Sequence, residues 1–323
     1  MRPLAIDLWR QLADGTLRSG DELAAVLNVS RGSVMNAANE LLDAGVNVYK
    51  IRGQGYRLPQ AVELLDAVQL ETLLADLALP LAVLPVVDST NSWLLQAQRE
   101  HPRQLAAAEV QLAGRGRRGR RWLASPGGSL TFSLAWRFSA GMAGLGGLSL
   151  AVGLAVVRVL RRYGADDVML KWPNDVVHQF RKLAGVLIEL QGDMLGPATA
   201  VIGIGLNLSL DTLQRQQIDQ HVGDLSMLGL KPGRNALLAD LVRELHAVLQ
   251  QFESQGFTSL AAEWARYHAY QDKPVRLLLG GGQETQGWVR GVDEQGALLL
   301  ETGEGIKPYH GGEVSLRRLE PTQ

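Results

Sequence analysis

GRGRRGRRW, Gly114–Trp122, sets five arginines among three glycines between two apolar runs, Ala106–Gln111 and Leu130–Trp136. Both runs have the length and character of strands, and no helical pattern separates them. Further apolar runs read as strands at Ala82–Val87, Val168–Trp172, Leu183–Leu190 and Ala200–Leu208, with helices near 91–100, 146–163 and 235–254. Several of these strands follow one another without an intervening helix, which predicts a mixed or antiparallel sheet and not a doubly wound one. The arginine loop itself suits an anion. Glycine lets backbone approach a ligand closely, and guanidinium groups offer fixed forks of donors that match carboxylate or phosphate oxygens. An arginine-rich nucleic-acid patch and a solvated loop are the other readings of such a run; its place between strands favours a small-molecule site.

Upstream, residues 1–60 form a unit of their own. Leu4, Leu8 and Leu12 predict a first helix ending at Gly15. Ser19-Gly20-Asp21-Glu22 is a capping-box pattern that opens a helix over Asp21–Leu27, and Ser30 caps a third that runs to about Ala44 and stops at Gly45. Helix, short turn, helix is a DNA-binding arrangement. Val46–Lys50 and Tyr56–Leu58 pair around Gly53-Gln54-Gly55 as a wing. A small helical adaptor or dimerisation unit would carry the same helical pattern. Ser30, Arg31, Ser33, Asn36 and Asn39 are the DNA-facing candidates, with Lys50, Arg52 and Arg57 available to phosphates.

Pro59 ends this unit, and Val62–Leu79 has the spacing of a connecting helix. Past Tyr270 the helical pattern stops. Val275–Leu279, Glu284–Val292, Ala297–Glu301 and Ile306–Tyr309 are short strands between glycine turns, and Glu313–Leu319 closes the set as a small barrel of SH3-like size. The expected class is α+β: a winged helix-turn-helix at 1–60, a mixed-sheet α/β domain at 61–270 and an SH3-like β-barrel at 271–323.

Composition narrows the function classes. Hydrophobic residues make up 46% and charged residues 20% of 323, which is ordinary for a globular chain of two or three domains. With a net charge of −1, nucleic-acid contact must rest on a local patch. The absence of cysteine removes disulfides, thiolate metal sites and cysteine nucleophiles, and the six histidines lack metal-ligand spacing. MRPLAIDLWRQLADG at the N-terminus carries Asp7 in place of a signal peptide's apolar block, which points to the cytoplasm. Phe138–Val157 has no charge and nearly spans a bilayer in length, but five glycines dilute it and its strongly apolar part, Leu148–Leu160, has the length of a core helix.

Four further elements bear on the arginine loop. Asp88-Ser89-Thr90-Asn91 follows a strand and starts a helix, where hydroxyls and backbone N–H groups meet polar ligand atoms. Lys171-Trp172-Pro173-Asn174-Asp175 ends a strand, Lys182-Leu183-Ala184-Gly185 begins the next, and Gly203-Ile204-Gly205-Leu206-Asn207 lies in another. Singly, each has a structural reading: a helix cap for Ser89 and Thr90, a solvated strand-end lysine for Lys182, close sheet packing for Gly203 and Gly205. In this order they resemble the biotin protein ligases, in particular the bifunctional members that are also biotin operon repressors. The likeness runs over nearly the whole chain, including GQGYRLP at Gly53–Pro59, QGALLLE at Gln295–Glu301 and KPYHGGEVSLR at Lys307–Arg317; GRGRRGR, KWPND and KLAGVLIEL are its most specific parts.

The resemblance implies a two-step ligase domain. Biotin's carboxylate attacks the α-phosphate of ATP to give biotinyl-5′-AMP and pyrophosphate, and a lysine of the biotin carboxyl carrier protein then takes the biotinyl group. It implies that Ser89, Thr90, Asn91 and Gln111, with backbone at Gly114, Gly185 and Gly203, hold biotin's head. Arg115 and Arg117 would meet carboxylate and phosphates, and Lys182 would stabilise charge at the transferring phosphoryl. Arg120, Trp122, Lys171, Asn174, Asp175, Asn207 and Arg317 would surround the nucleotide and its Mg²⁺, whose protein ligands stay unassigned. Residues 211–224 lack the tryptophan often found in the family's adenylate-covering loop, which leaves adenine coverage open. Repression implies a homodimer on operator DNA and no membrane. Two other classes remain beside this one: a ligand-sensing repressor without turnover, and a lipoate or octanoate transferase.

Overall fold

Serine caps set the register of the N-terminal unit. The computed structural model describes residues 1–97, 101–218, 220–279, 282–311 and 314–319. In it α1 spans Pro3–Leu12, α2 Gly20–Val26 and α3 Arg31–Asp43. Ser19 Oγ accepts from the Glu22 N–H and Ser30 Oγ from the Ser33 N–H, each at 3.1 Å, which satisfies orphan donors of the first turn. Leu8, Trp9, Leu12, Leu23, Val34 and Leu41 close the core of this unit. β1 (Tyr49–Ile51) and β2 (Gly55–Arg57) pair antiparallel as the expected hairpin.

The connecting helix expected over Val62–Leu79 is shorter. Only α4, Ala67–Leu73, and a 3₁₀ turn at Ala75–Leu77 form. The stretch before them is extended because its backbone is claimed elsewhere: Val62 N–H donates to Ala13 O at 2.7 Å, Leu65 N–H to the Glu109 carboxylate and Asp66 N–H to Asn235 Oδ1 at 2.9 Å. Asp66 then caps α4 through the Gln69 N–H at 2.8 Å.

The central unit runs β3 (Leu81–Val87), α5 (Thr90–Ala97), β4 (Arg103–Gln111), β5 (Ser129–Phe138), α6 (Leu148–Arg162), β6 (Val168–Lys171), β7 (Asp175–His178), β8 (Arg181–Gly192), β9 (Ala198–Asn207), α7 (Thr212–Gln217), α8 (Arg234–Gln255) and α9 (Thr258–Arg266). The last three residues of the helix expected near 91–100 lie outside the described residues. The strands form one mixed sheet in the order β3-β4-β5-β9-β8-β7-β6, in which β3 and β4 are parallel and the other neighbours antiparallel. Alternation along β5 divides the sheet's faces. Leu130, Phe132, Leu134, Trp136 and Phe138 join the main core with α6 and α8, while Ala135 points to Leu94 of α5.

The segment with bilayer-like length resolves into the end of β5, a 3₁₀ turn and α6, which is buried almost all round. Its terminal arginines pair with neighbouring helices: Arg158 Nε reaches Glu263 at 2.9 Å and Arg162 reaches Glu244 at 2.6 Å. Among the described residues no helix is long and apolar enough to cross a membrane.

β10 (Pro274–Leu278), β11 (Glu284–Val292), β12 (Leu298–Thr302), β13 (Gly305–Tyr309) and β14 (Ser315–Arg318) form an antiparallel sheet ordered β13-β12-β11-β10-β14. No pairing between β13 and β14 closes it among the described residues, so the expected barrel stands here as an open five-stranded sheet; Glu313, expected to begin the last strand, lies outside them. The sheet buries Val275, Leu277, Val289 and Leu300 in the same core as the central unit.

Candidate active site

The face of the central sheet opposite α6 and α8 is covered at one end by α5 alone, a helix of eight residues. The site occupies that face. Gly185 of β8 lies directly beside Gly205 of β9, and Gly203 pairs with Leu187. These positions lack side chains because others lie across them. A Cβ at Gly205 would meet Trp122 Cε2 at 2.2 Å, and one at Gly203 would meet Asn91 Oδ1 at 2.3 Å. The glycines read as sheet packing therefore do close packing and make the floor of the site at once.

The arginine loop is a tight hairpin over this floor. Trp122 N–H donates to Gly114 O at 2.9 Å, Gly116 N–H to Arg120 O at 2.7 Å, and Arg118 turns the tip in the left-handed region at φ 59°. Gly114 sits against the Trp122 backbone beside Gln111. The hairpin lays the Trp122 indole on Gly205 and directs Arg117 inward, where Nη1 donates to Asn174 Oδ1 at 3.0 Å and Nη2 to Gly311 O.

A narrow slot runs under the loop beside α5. Gln111 Oε1 accepts from the Thr90 N–H at 2.8 Å and from Thr90 Oγ at 3.1 Å; Thr90 and Ser133 hydroxyls meet at 2.6 Å; Ser133 Oγ donates to Asn91 Oδ1 at 2.6 Å. Asn91 Nδ2 and Arg115 Nη2 converge on Glu189 Oε2 at 2.8 and 2.6 Å. Ser89 caps α5 and lines the slot. Sequence reading missed Ser133 and Glu189. Ser133 has no motif around it, and Glu189 is inside KLAGVLIEL, where it reads as an edge residue.

Next to the slot lies a cavity of about 420 Å³. Trp122, Arg117, Asn174 and Lys182 line both, so they form the partition. Lys182 Nζ is 2.8 Å from Asp175 Oδ1 and 5.6 Å from the centre of the Trp122 ring, and Lys171 Nζ approaches the same carboxylate at 3.9 Å. Arg120, Lys171 and Arg317 line the cavity. Burial depresses the pKa of Arg117, Lys171 and Arg317 below the usual values of their types, and neighbouring cations act in the same direction while Asp175 opposes it. An incoming anion would relieve this crowding. Asn207 donates to Gly223 O at 3.1 Å, while its Oδ1 is buried with no partner among the described residues. Of residues 211–224, Gln217, Ile218, Gln220 and Val222 line the cavity. The catalytic, slot and nucleotide candidates thus converge on one face.

Of the DNA-facing candidates, Ser30, Arg31, Asn36 and Asn39 are exposed and Ser33 is half-buried. Ser30 and Ser33 are engaged in the α3 cap, Arg31 Nε is 3.2 Å from Asp21, and Asn39 accepts from Lys50. Asn36 is exposed on the α3 surface, next to Met35, which is 49% exposed.

A mixed sheet carrying a narrow polar slot that adjoins a cation-rich cavity at Lys182 is a site of the class that receives anionic small molecules. Residues 83–207 match the Biotin/lipoate A/B protein ligase family, 272–317 the Biotin protein ligase C terminal domain and 6–57 an HTH domain. The chain is 42% identical to the bifunctional ligase/repressor BirA of Escherichia coli over 96% of both chains, and 36% identical to the biotin–[acetyl-CoA-carboxylase] ligase of Mycobacterium tuberculosis over 64% of this chain and 76% of that one. The biotin protein ligase of Aquifex aeolicus in complex with biotin and ATP aligns with a TM-score of 0.64 at 30% identity, covering 74% of this chain and 99% of that one. The chain belongs to the biotin protein ligases, in the bifunctional ligase/repressor family.

Proposed function

We propose that the protein joins biotin to ATP as biotinyl-5′-AMP and transfers the biotinyl group to a lysine of a biotin carboxyl carrier protein, and that it represses biotin genes through its N-terminal unit. The observation that carries the enzymatic half is the position of Lys182 in the partition between slot and cavity, held by Asp175 at 2.8 Å. A carboxylate in the slot and a phosphate in the cavity would both face this ammonium, which offsets the repulsion between two acids and the charge that develops during transfer. Ser89, Thr90, Asn91 and Gln111 offer a fixed set of donors and acceptors to a neutral ureido ring, with Ser133 holding Thr90 and Asn91 in place from beneath and Gly114, Gly185 and Gly203 as narrow walls.

We assign Arg115 and Arg117 to the carboxylate and phosphates, and Arg120, Trp122, Lys171, Asn174, Asn207 and Arg317 to the nucleotide. Asn207 Oδ1, buried and unpartnered, suits an adenine amino group. Mg²⁺ fits the donor set in a restricted sense: Asp175 is the one carboxylate lining the cavity among the described residues, which matches an ion held mostly by phosphate oxygens and water. When bound, the ion would neutralise phosphate charge. The units are taken as 1–60, 61–270 and 271–323, the last as an SH3-like module. Repression is read as the work of a homodimer, and the need for ATP and operator DNA supports a cytoplasmic location.

Incubation with biotin, ATP and magnesium tests the reading. Labelled pyrophosphate should exchange into ATP, and a carrier-protein lysine should gain the mass of one biotinyl group. Lys182→Ala should lower exchange by at least 100-fold. Unchanged exchange in that variant removes the site assignment, and a lipoyl or octanoyl adduct in place of the biotinyl one removes the substrate.

A further inference from the structure

Lys182 lines not two spaces but three. Besides the slot and the cavity, an open cleft of about 1030 Å³ begins at its ammonium. In the chain the slot is lined after Lys182, at Gly185–Leu187 of β8, and the cleft before it, at Gln179 and Phe180 of the β7–β8 turn and Arg181, the first residue of β8. Lys182 stands between the two sets of lining residues. Among the described residues the cleft's walls carry Lys171, Arg181, Arg276, Arg317 and Arg318 against one carboxylate, Asp175. In a chain of net charge −1 this is a strong local concentration of cations.

The wall is also fixed in place. Arg318 lies over the Phe180 ring at 5.0 Å, Lys273 over the same ring at 5.1 Å, and Phe180 meets Tyr270 edge-on at 5.2 Å, which ties the β7–β8 turn to the C-terminal sheet. Arg276 is 3.6 Å from Glu284 through Nη1, while its Nε is buried with no partner among the described residues.

Resting on the adenylating reading above, we propose that this cleft is the subsite and exit path for inorganic pyrophosphate, with Arg181, Arg276 and Arg318 as its outer ligands. Phosphoryl transfer places attacking and leaving oxygens roughly in line across phosphorus. A carboxylate oxygen entering from the slot forms the new bond to the α-phosphorus. The bond from that phosphorus to the α–β bridging oxygen breaks, and this oxygen keeps the electron pair and leaves as part of pyrophosphate; no proton moves. With the acid in the slot, the leaving group departs on the far side of Lys182, where the cleft begins. A trianion or tetra-anion there meets forked donors suited to phosphate oxygens.

The competing occupant of such a surface is an acidic face of the acceptor protein, and the experiment separates the two. Magnesium pyrophosphate is titrated calorimetrically into the full chain, into Arg181→Ala and into Arg181→Ala/Arg318→Ala. Transfer of biotin from preformed biotinyl-5′-AMP to the carrier protein, a half-reaction without pyrophosphate, is followed in parallel. The double variant should bind pyrophosphate at least 10-fold more weakly, Arg181→Ala should fall between it and the parent, and transfer should stay within twofold. Arg181 is exposed at a turn, so its single variant keeps the test independent of the Phe180 contact. Unchanged pyrophosphate binding overturns the proposal, as does slowed transfer with unchanged binding, which would make the cleft an acceptor-docking face. The binding arm speaks to the cleft alone, whereas a parent chain that exchanges no label would sink the adenylating reading itself.

Discussion

Ser133 and His268 show what single side chains decide. Ser133 bridges Thr90 and Asn91 with two contacts of 2.6 Å in a fully buried position of β5. Its removal leaves two slot groups short of a partner, so Ser133→Ala should raise KM for biotin about 10-fold, the equivalent of roughly 1.4 kcal/mol, with KM for ATP unchanged. An equal rise in both constants would mean that the slot and the nucleotide cavity are not separate. His268 is 2% exposed, with its ring 4.6 Å from Trp264, and burial lowers its pKa from 6.5 to about 4. The unfolded chain therefore holds a proton that the folded chain lacks between those values. Stability should fall as pH drops from about 6.5 to about 4 and level off below, with a full effect of about 3 kcal/mol from this residue. His268→Leu should flatten that part of the profile in denaturant unfolding series; an unchanged slope would place the acid sensitivity elsewhere.

At the scale of elements, α7 is the one that joins site and N-terminal unit. Asp211 accepts from the Gln214 N–H at 2.8 Å while Gln214 Oε1 accepts from the Asp211 N–H at 2.9 Å, a reciprocal cap. The other Asp211 oxygen accepts from Asn47 Nδ2 at 3.0 Å, just ahead of the hairpin β1–β2. α7 leads directly to Ile218 and Val222 over the nucleotide cavity. Asp211→Ala should cost about 1 kcal/mol in the helix, seen as faster amide exchange over residues 212–217, and should weaken nucleotide binding without affecting biotin. A loss confined to exchange would make the cap purely structural. This element was legible in part. DTLQ carries a capping pattern, but six residues with few apolar positions give no helical period. β7 and α9 were missed for similar reasons: DVVH is only four residues long, and the Leu260 and Trp264 pair of α9 is too brief a stripe. The long runs of β4, β5, β8 and β9 and the caps at Ser19 and Ser30 declared themselves, because period and chemistry agreed there. At the C-terminus the described residues show the expected strands as a five-stranded antiparallel sheet without showing closure, and whether a sheet closes depends on what else covers its face, which a local pattern does not contain. Convergence of Lys182, Asp175, Arg117 and Trp122 is likewise a property of strand order, which no local pattern contains.

For the whole molecule, the linker that follows the N-terminal unit is held to the central unit by a buried ion pair and its hydrogen bonds. Arg234, at the start of α8, is 3% exposed and Glu109, in β4, is 6% exposed, with Nη1 2.8 Å from Glu109 Oε2. The same guanidinium donates to Glu63 O at 2.6 Å and to Ser129 O at 3.1 Å, and Asn235 Nδ2 holds Glu63 Oε1 at 2.7 Å and Leu64 O at 3.0 Å. Sheet, long helix and the extended linker after Pro59 thus share a single polar hub. Its carboxylate tolerates burial only while the guanidinium stays. Arg234→Met should therefore cost about 3–5 kcal/mol, because it strands the Glu109 charge, whereas Arg234→Met/Glu109→Leu should recover much of that loss. The Glu63 carbonyl of the linker loses its donor in both variants, so cleavage by protease after residue 60 should rise in both, even where global stability returns. Equilibrium unfolding and limited proteolysis together check this. A double variant as unstable as the single one would show that packing around Arg234, and not its charge, holds the hub, and unchanged proteolysis would detach the linker from it.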